Sequence, residues 1–298
     1  MPVIVEKTRL SELSVKEVMR AQVVSRPAGS STEGGIRFLI KYKVNALLIL
    51  DEEELPAGVV SKTDIMAAYY ALLPITSPLA NLMITPPVLC DEQDSLESAL
   101  ETMRSQGVHR LYVRSGDSDR VVGVLSYPDI VAMLYQFCRN CERSLYRRRH
   151  KSSTDRSVPR FRIKDLMTPS VMSFSTDDCL SSIMEGLSLY HLGAVLIRDS
   201  RNVPSGVISK TDLMMAYKRG IAPDVPARAI LNSCRILSCE EHDFIEEAIR
   251  RLIFSELHRL FVHRSDASNI VGVFSLTDAA RLRSGSCHAC PTARLGGP

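Results

Sequence analysis

Four short segments of this chain are near-copies of one another: GVVSKTD at residues 58–64, GVLSYPD at 123–129, GVISKTD at 206–212 and GVFSLTD at 272–278. Each sets a glycine before an apolar run, then a serine, then an aspartate three residues further on. Their starts lie 65, 83 and 66 residues apart, so one unit occurs four times, grouped two and two. This repeat constrains the fold more than any other feature, because a repeated unit is one supersecondary element that needs a neighbour to cover its apolar face. A unit of about 60 residues buries only ~60% of the surface its unfolded chain exposes, which is marginal alone. Packing the units in pairs closes the core.

A larger period confirms the grouping. Residues 95–113 (SLESALETMRSQGVHRLYV) match 244–262 (FIEEAIRRLIFSELHRLFV), and VKEVM at 15–19 matches IKDLM at 163–167. Leu96, Ala99, Leu100 and Met103 recur at helical spacing, as do Ile245, Ala248, Ile249, Leu252 and Ile253. Gly107 is placed to stop the first of these helices. Short apolar runs at 44–50 and 110–113 follow, then polar turns at 51–55, 115–119, 199–202 and 265–268, then the glycine-led strand and a second helix such as 65–72. Each unit reads strand, helix, strand, strand, helix, an α/β (α+β) class. The expected organisation is unit 1 at 12–75, unit 2 at 79–137, a basic linker at 138–160, unit 3 at 161–221, unit 4 at 226–285 and a cysteine-containing tail at 286–298. Pro74 and Pro78 mark the tight joint within the first pair, and Pro223 and Pro226 that within the second.

Composition excludes several classes. The 298 residues are 45% apolar, enough for a sizeable core. No stretch approaches the ~20 apolar residues of a membrane span, and the first ten residues lack the apolar region of a signal peptide. Eight cysteines without an export signal point to a reducing cytoplasm. A net charge of +3 says little about partners. The charge is uneven, however: residues 139–164 hold ten Lys/Arg against two acids, including Arg147, Arg148, Arg149 and Lys151. The segment reads as a solvated linker or as a contact for an acidic partner; with only Tyr146 and Phe161 as aromatics, base stacking by nucleic acid is not expected.

The four G-h-h-S-x-x-D segments, the V-x-x-h-M arms before them and the HRLxV and VNALLIL strands together resemble the CBS domain, over roughly residues 15–137 and 160–283. The resemblance implies four CBS units paired by their sheets into two Bateman modules. It implies a regulatory rather than a catalytic protein, binding AMP, ADP, ATP or a related adenosyl ligand in clefts between paired units and signalling to a protein partner. The four-unit layout is similar to that of the γ subunit of AMP-activated kinase and of prokaryotic stand-alone CBS proteins. His109–Arg110 and His258–Arg259 stand in units 2 and 4, where units 1 and 3 carry Asn45 and Gly193 nearby. No Ser–His–acid arrangement, phosphate loop or HExxH segment appears, so an enzyme is not expected.

Local chemistry allows two readings of the motifs. Asp64, Asp129, Asp212 and Asp278 are ionised at neutral pH and could accept both ribose hydroxyls. Ser61, Ser126, Ser209 and Ser275, with Thr63, Thr211 and Thr277, sit where a strand meets a helix, a place suited to phosphate. Lys62 and Lys210 add charge, Arg110 and Arg259 offer bidentate contacts, and His109 and His258 would make affinity sensitive to pH near neutrality. Equally, S-x-x-D is a helix-capping signature, the arginines could form rim ion pairs, and the histidines could be surface or packing residues. In unit 2, Pro128 removes a backbone donor from the turn, so weaker phosphate binding is expected there.

Two CxxC pairs, Cys138/Cys141 and Cys287/Cys290, stand 15 and 18 residues after Gly123 and Gly272 respectively. Four thiolates at this spacing suit Zn or an Fe–S cluster, with His288 as a further ligand. That gives an alternative function, a metal-binding or redox-responsive protein using the CBS units as scaffold; sites shared across a homodimer and inert thiols are the other readings. Cys90 and Cys239, at matching positions, read as buried free thiols.

Overall fold

A computed structural model of the chain describes residues 13–116, 118–140, 162–231, 236–255 and 257–283. Each repeat begins with a short arm. It continues as a strand, a helix, two further strands and a second helix. In unit 1 these are the arm helix α1 (Val15–Val18), β1 (Ser25–Pro27), α2 (Thr32–Lys41), β2 (Ala46–Leu50), β3 (Pro56–Ser61) and α3 (Lys62–Tyr70). Unit 2 has β4 (Leu89–Asp91), α4 (Leu96–Ser105), β5 (Arg110–Arg114), β6 (Val121–Ser126) and α5 (Tyr127–Asn140). Unit 3 has β7 (Ser173–Ser175), α6 (Leu180–Leu189), β8 (Ala194–Arg198), β9 (Pro204–Ser209) and α7 (Lys210–Lys218). Unit 4 has β10 (Ser238–Glu240), α8 (Ile245–Phe254), β11 (Arg259–Arg264), β12 (Asp266–Ser275) and α9 (Leu276–Arg283). Among the described residues no helix is long and apolar enough to cross a membrane.

Each unit forms a three-stranded sheet in sequence order, its first two strands parallel and its last two antiparallel. The parallel pair requires the crossover helix, and the polar turn closes the antiparallel pair. Two expected boundaries move. The helix expected at 65–72 starts at Lys62, because Ser61 caps it at the end of the strand. The turn expected at 265–268 contracts around Ser265, which takes a φ of 62°, and β12 runs on from Asp266.

The arms are exchanged within each pair. Arg20 exchanges both backbone hydrogen bonds with Val124 of unit 2, while Ile84, in the arm of unit 2, does the same with Val59 of unit 1. The second pair repeats this at Thr168 and Val273. The glycine of the repeated motif permits the approach: a Cβ at Gly123 would lie 2.5 Å from Met19 Sδ, and one at Gly272 would lie 2.5 Å from Met167 Sδ. Leu13 and Val15, from the arm of unit 1, are buried among Leu96 and Leu100 of unit 2, and Leu79, from the arm of unit 2, is buried among Ile36 and Leu39 of unit 1. A single unit therefore lacks part of its own core.

Pairing by sheets is present but small. Leu48 of unit 1 meets Tyr112 and Val124 of unit 2, and Leu196 of unit 3 meets Phe261 and Ile270 of unit 4. The expectation that pairing alone closes the core is corrected here. The two largest apolar clusters join the pairs to each other, unit 1 with unit 3 and unit 2 with unit 4. Three short strands offer few inward side chains, whereas the helices bring an apolar stripe each and so cover more surface when they pack on one another. At the unit 1–unit 3 seam Tyr69 and Tyr217 stack with centroids 5.1 Å apart, and Tyr69 donates to the Ile221 carbonyl at 2.8 Å while Tyr217 donates to that of Leu73.

Candidate functional site

The four serine–aspartate pairs are built alike. Ser61 ends β3 in extended backbone, and its Oγ accepts from the amides of Thr63 and Asp64 at 3.2 and 3.4 Å. Asp64 Oδ2 in return accepts from Ser61 N and Ser61 Oγ, both at 2.7 Å. Asp212 does the same with Ser209 (2.8 and 2.5 Å) and Asp278 with Ser275 (2.9 and 2.6 Å). Asp129 accepts from Ser126 N at 2.9 Å and from Ser126 Oγ. The capping-box reading of S-x-x-D is thus realised, and it commits one oxygen of each carboxylate. This narrows the expectation that both oxygens are open to a ribose: Oδ1 is the oxygen left over. Burial, above all, raises the pKa of Asp64 and of Asp129.

The lysines of the motifs cross between the pairs. Lys62 Nζ donates to Thr211 Oγ1 at 3.0 Å, and Lys210 Nζ donates to Thr63 Oγ1 at 2.8 Å. Units 1 and 3 thus meet through reciprocal contacts about a pseudo-twofold axis. Arg110 Nη1 reaches the Ala46 carbonyl at 3.2 Å, and Arg259 Nη1 reaches that of Ala194 at 3.4 Å, so each arginine of an even-numbered unit lies on a strand of its odd-numbered partner. Gly193 makes room for this, since a Cβ there would lie 2.6 Å from Arg259 Nη2. Asn45 Nδ2 meets His258 Nε2 at 3.0 Å, linking unit 1 to unit 4. His109 packs edge-on against Tyr127. Thr277 takes the second position of α9.

These contacts gather cations from all four units. Burial lowers the pKa of Lys62, Arg110 lowers it further, and Asp212 opposes. Burial brings Lys210 down to about 8, with Arg259 adding to the shift and Asp64 opposing. Arg259 is lowered by burial and supported by Asp278. His258 falls to about 4, through burial first and then repulsion from Lys62, Arg259, Arg110 and His109. His258 and His109 nonetheless keep contact with solvent. The cluster is thus crowded by protein and still reached by water at its two histidines. His258 is neutral well below pH 7, so it does not supply the switch near neutrality expected from its ordinary pKa.

Sequence reasoning missed Arg20. Its Nε lies 2.7 Å from Asp129 Oδ1. The signal was present in the aligned arms, where VKEVM is followed by Arg20 and IKDLM by Thr168. Cys141, Cys287, Cys290 and the side chain of Cys138 lie outside the described residues, as does most of the basic linker. Cys90 and Cys239 are buried free thiols, as expected, and burial pushes each up to about 12.

A repeat of strand–helix–strand–strand–helix units, arms exchanged within pairs and a serine–aspartate cap at each strand end are the marks of a CBS protein. The sequence pattern of the CBS domain matches residues 15–71, 79–135 and 227–285, more than half of the chain, and the chain belongs to that family. Among solved structures it is similar to protein MJ1225 from Methanocaldococcus jannaschii, described as a candidate archaeal homolog of the AMPK γ subunit. That match has a TM-score of 0.72 and 13% identity over 90% of this chain and 99% of that one. A conserved protein from Pyrococcus horikoshii has a TM-score of 0.56 and 17% identity over 91% of this chain and 99% of that one. The CBS domain protein PAE2072 from Pyrobaculum aerophilum, solved in complex with AMP, has a TM-score of 0.38 and 22% identity over 45% of this chain and 96% of that one. No curated protein matches the chain.

Proposed function

We propose that this chain is a regulatory protein that binds adenine nucleotides in clefts between its paired CBS units and signals occupancy to a protein partner. The observation that carries the reading is the convergence of Lys62, Lys210, Arg110 and Arg259, with the imidazole of His258 among them, beside the motif aspartates. Burial opposes the positive charge of Lys62, Lys210 and Arg259, and an anion of two or more charges placed among them would offset that cost. Phosphate suits the donor set: ammonium groups act as point charges, guanidinium groups as forks. The remaining aspartate oxygens at Asp64, Asp212 and Asp278 suit ribose hydroxyls. The adenine preference rests on CBS-family membership.

Binding would signal through the seam. Lys62 and Lys210 hold units 1 and 3 together through Thr211 and Thr63, and a phosphate that draws either lysine away changes that contact. A ligand can shift such an equilibrium only by its differential affinity for the two arrangements. Thermal unfolding with millimolar AMP, ADP, ATP, S-adenosylmethionine or adenosine tests the reading. Stabilisation by the phosphorylated ligands, weaker with adenosine and reduced by Lys62→Met or Lys210→Met, is the expected result. Absence of any shift with all five would overturn it.

A further inference from the structure

We propose that Arg20 is a built-in occupant of the unit 2 carboxylate, closing one of the four clefts to nucleotide. This rests on the nucleotide reading of the clefts and specifies which of them works. Asp129 Oδ2 is committed to Ser126, as in the other units, but Asp129 Oδ1 also holds the Arg20 guanidinium at 2.7 Å. The Asp129 side chain is only 11% exposed, and the ion pair engages the one oxygen that Ser126 leaves open to a ribose. A charge-assisted hydrogen bond of this kind is stronger than one from a neutral hydroxyl, so a ribose competes for this oxygen at a disadvantage.

The repeat supplies internal controls. Arg20, Ile84 and Thr168 hold the same backbone position: each exchanges two hydrogen bonds with the strand residue five places before a motif aspartate, namely Val124, Val59 and Val273. The side chain alone differs. Ile84 cannot hydrogen-bond to Asp64, and Thr168 makes no hydrogen bond to Asp278 among the described residues. Asp64, Asp212 and Asp278 keep Oδ1 without a hydrogen bond among the described residues. Among the three described arm positions, the second unit is therefore singled out by a residue from the arm of the first. The loss of one backbone donor at Pro128 acts in the same direction. Arg20 is 53% exposed and its backbone bridge does not need its side chain, so the device can be removed without disturbing the arm.

The test is isothermal titration of the full chain with AMP, comparing wild type with Arg20→Thr and Arg20→Ala, each alone and combined with Asp129→Asn. The expected result is one further bound equivalent per chain in both Arg20 variants, lost again in the doubles. Nucleotide binding by wild type with an unchanged or lower stoichiometry in the Arg20 variants overturns the proposal while leaving the nucleotide reading in place. No binding by any of the proteins overturns both.

Discussion

Replacing Gly272 with alanine tests whether the arms are exchanged as described. The added Cβ would sit 2.5 Å from Met167 Sδ and 3.0 Å from the carbonyl oxygen of Thr168. The sulfur ends a flexible side chain and can swing away. The carbonyl cannot, because it accepts from Val273 N at 2.9 Å while Thr168 N donates to the Val273 carbonyl at 2.9 Å. Overpacking of this sort costs about 1–3 kcal/mol, and loosening one of the two backbone hydrogen bonds adds roughly 1 kcal/mol. A total loss of ~2–4 kcal/mol is expected, read as a lower urea midpoint with an unchanged slope. Gly29→Ala is the control, since nothing lies within 4 Å of its added Cβ; it should stay within about 0.5 kcal/mol of wild type. Equal stability of Gly272→Ala and Gly29→Ala would refute the exchange of arms.

Three further outcomes are expected. Tyr112→Phe, which removes a buried hydroxyl beside Arg110 and installs the residue type found at the matching Phe261, should change stability by no more than about 1 kcal/mol; a larger measured loss would contradict this. His258, held at about 4 when folded against ~6.5 unfolded, takes up protons in the unfolded state first. Stability should therefore be complete above pH 6.5 and fall as pH drops toward 4, and His258→Gln should flatten that acid limb in pH-dependent denaturation. Lys210, lowered to about 8 from its ordinary 10.5, has the same direction of linkage: the fold gains stability as pH rises from 8 to 10.5. Nucleotide needs the charged lysine, so affinity should fall as pH passes 8, and titration of Lys210→Met should remove that slope.

Much of this protein is written in its one-dimensional pattern. The order of strands and helices follows from period and turn chemistry, and the serine–aspartate caps follow from S-x-x-D at the end of an apolar run, because both are local: every partner lies within three residues. The candidate lysines, arginines and histidines were legible for a related reason, since a repeat in register marks the positions that differ from a plain scaffold. Their interactions were not. Lys62 meets Thr211, Asn45 meets His258, and Arg20 meets Asp129, contacts spanning 149, 213 and 109 residues. Nothing in local propensity encodes such separations; they exist because apolar helix faces too large for the sheets to cover drive unit 1 onto unit 3 and unit 2 onto unit 4. The sequence by itself determined four units and their capped strand ends. Only the tertiary structure decided that each unit lends its arm to its neighbour, that the cations of all four converge, and that the second aspartate is already taken.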